Sequence, residues 1–310
     1  MFLILLINIL MGATFSIVKL VLDHYTDPIF LVGYRMLLAG FLLLSYLAIF
    51  KKKHLKIVRQ DWFTICQVAL FHVYICYICE FWSQKYLSPA KVALLFNLTP
   101  FITAGLSYLL YQHKQNSKKM IGLIIGFLGF LPILFSHDAS EELLGTIFLI
   151  SLPELALLIA VAAGAYGWLV VQYLVVKRHY SIVAVNGYAM FGGGLLAILT
   201  SLVLGNYGMQ FGLGGLARAW DPWPFTDFNA LTGWVLLLII LSNFIYYNVY
   251  GWLMHKYSPT LLSFSGLTIP LFAALWEWLF FGIIITWPFW LSLAIIAFGL
   301  GLYYREEMMN

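Results

Sequence analysis

Six ionisable side chains interrupt the long apolar stretches of this chain: Lys19, Arg35, Glu80, Lys91, Glu154 and Glu277. A charge at the centre of a bilayer costs about 2.5–3.5 kcal/mol on insertion scales, so each is a candidate for binding, gating or pairing. Acids and bases that face one cavity can hold a charged or zwitterionic solute, or lock a gate by pairing with each other. The competing reading is snorkelling, in which a long side chain near a helix end carries its charge to the interface. That reading suits Lys19, Lys91 and Glu154 best. Arg35 and Glu277 lie deeper in their stretches, and Glu80 lies between. A lone buried charge is expensive, so Arg35 is expected to have an acidic partner.

Aromatic rings accompany these charges. Tyr74, Tyr77, Phe81 and Trp82 surround Glu80, Trp276 and Trp278 flank Glu277, and Tyr246, Tyr247 and Tyr250 share a later stretch with Asn248. Rings can stack on a planar solute group or face a cation. Trp and Tyr also gather at membrane interfaces, which accounts for most of the Trp residues. Tyr246, Tyr247 and Asn248 fall at mid-span, where two hydroxyls and an amide need partners. Asn97, Thr99 and Pro100 form another candidate. Pro100 removes an intrahelical hydrogen bond and frees a carbonyl in mid-span, and Pro270 does the same later in the chain. Such breaks mark either a solute site or a kink required for packing.

Other chemistries find little support. Cys66, Cys76 and Cys79 are the only cysteines, and Cys76 and Cys79 form a C-x-x-C pattern with His72 and Glu80 nearby. No second cluster completes a ligand set, and small buried thiols are ordinary packing residues. No metal and no cofactor are expected. No Walker A, G-x-S-x-G, serine–histidine or paired-aspartate motif is present, so an enzyme is not expected. Gly192-Gly193-Gly194 lacks the Lys and Ser/Thr of a phosphate loop. Like Gly122, Gly126, Gly129, Gly299 and Gly301, it suits close helix packing.

The elements that must carry these residues follow from composition. The chain is 63% hydrophobic and 10% charged, with mean hydropathy +0.91. These values argue for an integral membrane protein, with room for roughly ten helices at about 20 residues each. The continuity of the apolar runs argues against a β-barrel. Spans are expected over 2–22, 28–50, 62–82, 88–111, 119–136, 154–176, 182–204, 233–254, 259–281 and 284–304. Residues 143–153 could add a turn or a re-entrant piece. The first stretch has no basic leader and reads as a span, not a cleaved signal peptide. The net charge of +4 resides in loops and does not suggest nucleic-acid binding.

Loop charge predicts orientation. Lys51, Lys52, Lys53, Lys56, Arg59, Lys114, Lys118, Lys119, Lys177, Arg178, Lys256 and Arg305 fall in alternate connections. The opposite connections carry Asp23, Asp27, Asp138, Glu141, Glu142, Asp221 and Asp227, with only Lys85 and Arg218 basic. Both termini are therefore expected in the cytoplasm. This orientation places all six intramembrane charges in the outer half of the membrane.

The chain also repeats itself. Tyr86-Leu87-Ser88-Pro89-Ala90 and Leu98-Thr99-Pro100-Phe101 recur as Lys256-Tyr257-Ser258-Pro259-Thr260 and Leu267-Thr268-Ile269-Pro270-Leu271 with the same Pro-to-Pro spacing. Gly33-Tyr34-Arg35-Met36 recurs as Gly187-Tyr188-Ala189-Met190. Two copies of five spans each must be inverted relative to each other, a common plan for secondary transporters.

The chain resembles the EamA-type branch of the drug/metabolite transporter superfamily. The resemblance rests on Met11-Gly12-Ala13-Thr14-Phe15 with Lys19, Gly33 through Gly40, Ser88-Pro89-Ala90 through Leu98-Thr99-Pro100, and Ile121-Gly122 through Gly129. It covers nearly the whole chain. It implies an all-α integral membrane fold of ten helices in two inverted repeats, at 1–142 and 143–310, with spans five and ten as scaffold. Relatives often carry a Gly-Glu pair after spans four and nine; here those positions read Tyr111-Gln112-His113 and Phe281-Gly282-Ile283.

The expected function is secondary transport of a small organic metabolite across a bacterial inner membrane by alternating access. Both signs of charge plus aromatic faces suit an amphoteric solute, such as an amino acid or a nucleoside-like metabolite. S-adenosylmethionine, carried by some members of the superfamily, is one specific choice. Candidate binding residues are Arg35, Glu277, Glu80, Asn97, Tyr246, Tyr247, Asn248, Tyr77, Lys19 and Lys91, with Pro100 and Pro270 as helix breaks. The partners are the solute and the lipid bilayer, with monomer and homodimer both open. Export of amphiphilic or cationic drugs is the alternative within this class. An intramembrane enzyme and a channel are the alternatives outside it.

Overall fold

The computed structural model describes residues 2–24, 28–103, 117–135, 146–147, 150–207, 228–253 and 265–309. Lys114, Asp138, Glu141, Glu142, Arg218, Asp221, Asp227, Lys256, Pro259 and the Tyr111-Gln112-His113 stretch lie outside them, as do Asp27 and the side chains of Lys118, Lys119 and Asn248.

The described helices account, in whole or in part, for each expected span. They are α1 (Phe2–His24), α2 (Pro28–Phe50), α3 (62–84), α4 (Pro89–Phe96), α5 (Ser117–Leu128), α6 (Leu152–Lys177), α7 (Ile182–Tyr207), α8 (228–253), α9 (Ile269–Phe281) and α10 (Trp287–Met309). Six helical stretches are long and apolar enough to cross a membrane, and three shorter apolar ones accompany them among the described residues. The chain is a multi-pass, all-α membrane protein. Large apolar side chains such as Phe41, Leu196 and Phe298 are exposed along these helices, as suits surfaces that meet lipid rather than water. Ahead of α6, Thr146–Ile147 and Ile150–Ser151 form a minimal antiparallel ladder.

The helices gather into two compact units, each drawing on both halves of the sequence. One comprises Ile17–Lys85 and Ala163–Phe244; the other comprises Met1–Ser16, Tyr86–Ala162 and Ile245–Asn310. In the first, α2 and α7 cross through glycines. A Cβ on Gly40 would run into the backbone of Phe191, and one on Gly194 into the backbone of Leu37. In the second, α5 and α10 approach through Gly122, Gly126 and Gly299. Small residues allow this approach, and dispersion along the seam takes over from a hydrophobic driving force that lipid cannot supply.

Three helices contain π-helical turns: Tyr173–Lys177 ends α6, and the other two lie within α3 and α8. Within α3, Val68–Ile75 is π-helical, flanked by Trp62–Gln67 and Cys76–Gln84. Within α8, Ile239–Tyr246 is π-helical, between Phe228–Leu238 and Tyr247–Leu253. Wider turns of this kind are rare and concentrate at functional sites.

The start of α4 is held by two carboxylates. Ser88 caps the helix through Lys91 N. Glu277 of α9 accepts from Ala90 N at 2.8 Å. Glu154 of α6 meets Lys91 Nζ at 2.8 Å, while its other oxygen accepts from Ser151 N at 2.7 Å and Ser151 Oγ at 2.9 Å. Lys91 and Glu154 are buried, so they pair inside the protein and do not snorkel.

Two outcomes follow for the purified protein. Gly40→Leu should lower its melting temperature, because overpacking costs about 1–3 kcal/mol or more where backbone cannot retreat; an unchanged melting curve would contradict the tight α2–α7 crossing. Lys91→Met should destabilise by about 3–5 kcal/mol by stranding the Glu154 charge. Adding Glu154→Gln should recover most of that loss, and a double variant no better than the single one would refute the pairing.

A candidate solute site around Arg35

Arg35 sits on α2 about two turns beyond Pro28 and is 2% exposed. The α-helical end of α3 places Tyr77, Glu80 and Phe81 on one face by their i, i+3, i+4 spacing. The guanidinium carbon lies 5.8 Å from the Tyr77 ring centroid and 5.6 Å from that of Phe81, and the two rings meet edge to face. Such contacts are worth more when desolvated, up to about 2 kcal/mol. Glu80 is buried and interacts electrostatically with Arg35.

Glu80 is the acid that acts on Arg35, but the two do not form a contact ion pair. Among the described residues, no carboxylate lies within ion-pair distance of Arg35, and its hydrogen-bond partner is an amide. Arg35 Nε donates to Asn243 Oδ1 at 3.2 Å. Asn243 belongs to the π-helical segment of α8 and is 1% exposed. Its Nδ2 donates to Met190 Sδ at 3.4 Å and to Met36 Sδ at 3.8 Å. All these residues lie within one compact unit. The guanidinium is thus held by two aromatic faces and a neutral amide, with the buried Glu80 nearby.

The other sequence candidates are placed elsewhere. Lys19 Nζ donates to Lys85 O at 2.7 Å, at the end of α3, and lies 3.5 Å from Asp23; a cation there suits a helix C-terminus. Lys91, Glu154 and Glu277 secure the start of α4, as described. Tyr246 stacks on Tyr250 and packs on the cluster of Ile4, Ile7 and Leu253. Tyr247 is buried and meets Tyr246 edge to face. The backbone of Asn248 continues this helix.

The helix after α4 turns at Asn97 and Leu98 and resumes before Pro100. The carbonyl that Pro100 leaves without an amide is that of Phe96, and the Thr99 hydroxyl donates to it at 2.6 Å. At the related place, a tight turn at Gly266–Thr268 precedes α9, and Thr268 donates to Ser265 O at 2.8 Å. Asn8 Nδ2 donates to Ser265 O and to Thr268 Oγ1. Both prolines enter the first turn of the following helix, where a missing N–H costs least. Asn97 Nδ2 is buried with no hydrogen-bond partner among the described residues.

Sequence reasoning missed Asn8 and Asn243. Asn8 is a single amide in an otherwise apolar run, which was the available signal; Asn243 shares its span with Asn248 and no such signal marks it. His72 instead packs edge to face on Trp168 and beneath Gly167. No group of His, Cys, Asp and Glu that could hold a metal is found among the described residues.

Elsewhere in this unit, the α2–α3 and α6–α7 connections are latched. Arg178 donates to Asp61 Oδ2 at 2.7 Å through Nη2 and at 3.1 Å through Nε. The Tyr180 hydroxyl also donates to Asp61 and accepts from Val58 N. The hydrogen bond to Asp61 raises the Arg178 pKa further. Burial first, and then the same carboxylate, raise that of the Tyr180 phenol.

Known proteins share this sequence and fold. The profile of the EamA-like transporter family matches residues 1–135 and 151–305. A protein of Chlamydia muridarum named S-adenosylmethionine/S-adenosylhomocysteine transporter is 29% identical over 307 residues, 99% of this chain and 92% of the other. A protein of the same name from Chlamydia trachomatis serovar L2 is also 29% identical, over 99% of this chain and 89% of its own. A crystal structure at 17% identity aligns with a TM-score of 0.60 over 97% of this chain and 94% of that one, and so shares the fold. The chain belongs to the EamA-like transporter family.

Proposed function

We propose that the chain is a secondary transporter of S-adenosylmethionine and S-adenosylhomocysteine. It works by alternating access in a bacterial inner membrane, with both termini cytoplasmic. Its two five-helix repeats, 1–142 and 143–310, are inverted relative to each other. It catalyses no covalent step on the solute.

The observation that carries this reading is a buried guanidinium with no acid at ion-pair distance among the described residues. Both solutes end in an amino acid, whose carboxylate suits Arg35. The ammonium group, and the sulfonium of S-adenosylmethionine, suit Glu80. Tyr77 and Phe81 offer faces for the cationic centre. The names of the chlamydial relatives support the same solutes. Glu277, Lys91 and Lys19 act by holding helix ends, and the breaks before Pro100, beside Asn97, and before Pro270 are the points where helices flex during exchange.

Uptake of labelled S-adenosylmethionine into proteoliposomes tests the reading. Wild type should accumulate label, with unlabelled S-adenosylhomocysteine competing. Arg35→Gln should lower uptake about tenfold to a hundredfold, because a charged hydrogen bond is worth about 1.5–3 kcal/mol. Glu80→Gln should lower S-adenosylmethionine uptake more than S-adenosylhomocysteine uptake, since only the former bears the sulfonium charge. Absence of uptake by wild type would reject the substrate; Arg35→Gln transport at the wild-type rate would reject the site.

A further inference from the structure

We propose that Asn243 is a positioning residue that makes Arg35 selective for a carboxylate-bearing solute. The inference rests on the substrate reading above and adds a residue that no sequence motif marks.

The geometry fixes which way the amide faces. A guanidinium offers only donors, so it must meet the amide oxygen and not the amino group. The amino group is thereby turned towards the two thioethers, which are weak acceptors. Met36 follows Arg35 directly on α2, and Met190 holds the corresponding place on α7 in the repeated Gly-Tyr-x-Met sequence. The repeat thus supplies both sulfur contacts. Its middle position differs between the copies: Arg35 in one, the buried Ala189 in the other. The two copies converge on one amide but provide one guanidinium.

Occupying Nε has a consequence for binding. A carboxylate can approach a guanidinium along the edge shared by Nε and one Nη, or end-on across both Nη groups. Asn243 takes the Nε position at 3.2 Å. Both Nη groups are without a hydrogen bond among the described residues. A solute carboxylate therefore meets Arg35 end-on. The partner's neutrality matters as much as its position. Aspartate is nearly the same size, but it would pair with Arg35 and cancel the charge that attracts the solute. The wider π-helical turn carries Asn243 itself, so the departure from α geometry places the amide.

The test compares two nucleoside thioethers on the full-length protein in lipid nanodiscs. S-adenosylhomocysteine carries the amino-acid end; 5′-methylthioadenosine lacks it. Wild type should bind the former more tightly. Asn243→Asp should weaken S-adenosylhomocysteine by tenfold or more and change 5′-methylthioadenosine by less than about twofold. A merely structural role would weaken both equally, which would overturn the proposal, as would unchanged affinity for both. Asn243→Ala carries the same test if the aspartate variant does not fold, with a smaller but still selective loss expected. Wild type binding neither nucleoside would overturn the substrate reading together with this inference. Wild type binding both, with an unaltered preference in the variants, would overturn this inference alone.

Discussion

Taking a charge out of water into a helical bundle costs several kcal/mol unless protein groups replace the lost solvation. That constraint orders the interior of this chain. Glu154 receives a lysine and two serine donors, Glu277 accepts a helix-end amide, and Lys19 donates to a helix-end carbonyl. Each bond joins one element to another, so these charges serve as fasteners. Arg35 is treated differently. It receives an amide and two ring faces, with Glu80 near it but not in a contact ion pair. The proposed binding group differs from the fasteners in the charge on its hydrogen-bond partner.

The same economy governs the backbone. A broken helix in a membrane leaves carbonyls that no water can reach. At both related breaks a threonine hydroxyl bonds the carbonyl three residues back, and at the second Asn8 adds a further donor. Breaks satisfied by side chains can be kept at modest cost. The π-helical segments of α3 and α8 are a second device of this type, since they shift the phase of a helix without opening it. One of them delivers Asn243 to Arg35.

Glycine-lined seams supply the rigidity against which such sites operate. The α2–α7 crossing joins the two helices that carry the repeated Gly-Tyr-x-Met sequence, and therefore fixes Arg35, Met36 and Met190 in one place. Packing in membranes relies on this close approach, so a glycine far from Arg35 can still be needed to hold these residues together.

The sequence by itself determined the membrane-spanning all-α class, the approximate limits of the helices, the internal repeat and the family resemblance. These depend on long apolar runs, on proline and glycine spacing and on composition, all of which survive without three-dimensional information. It also identified the charged residues worth examining, because charges are rare in such runs. It could not sort them. Spans that are apolar on every side have no periodic face, so their rotation is set only by contacts with neighbours. Lys91 and Glu154 are far apart in sequence, and nothing local marks them as a pair. Nothing in the sequence singled out Asn243, which lies in the π-helical segment of α8 and bonds Arg35. Helix rotation and turn width were decided by tertiary packing, and they separate the charges that fasten one element to another from the guanidinium that rests on an amide and two rings.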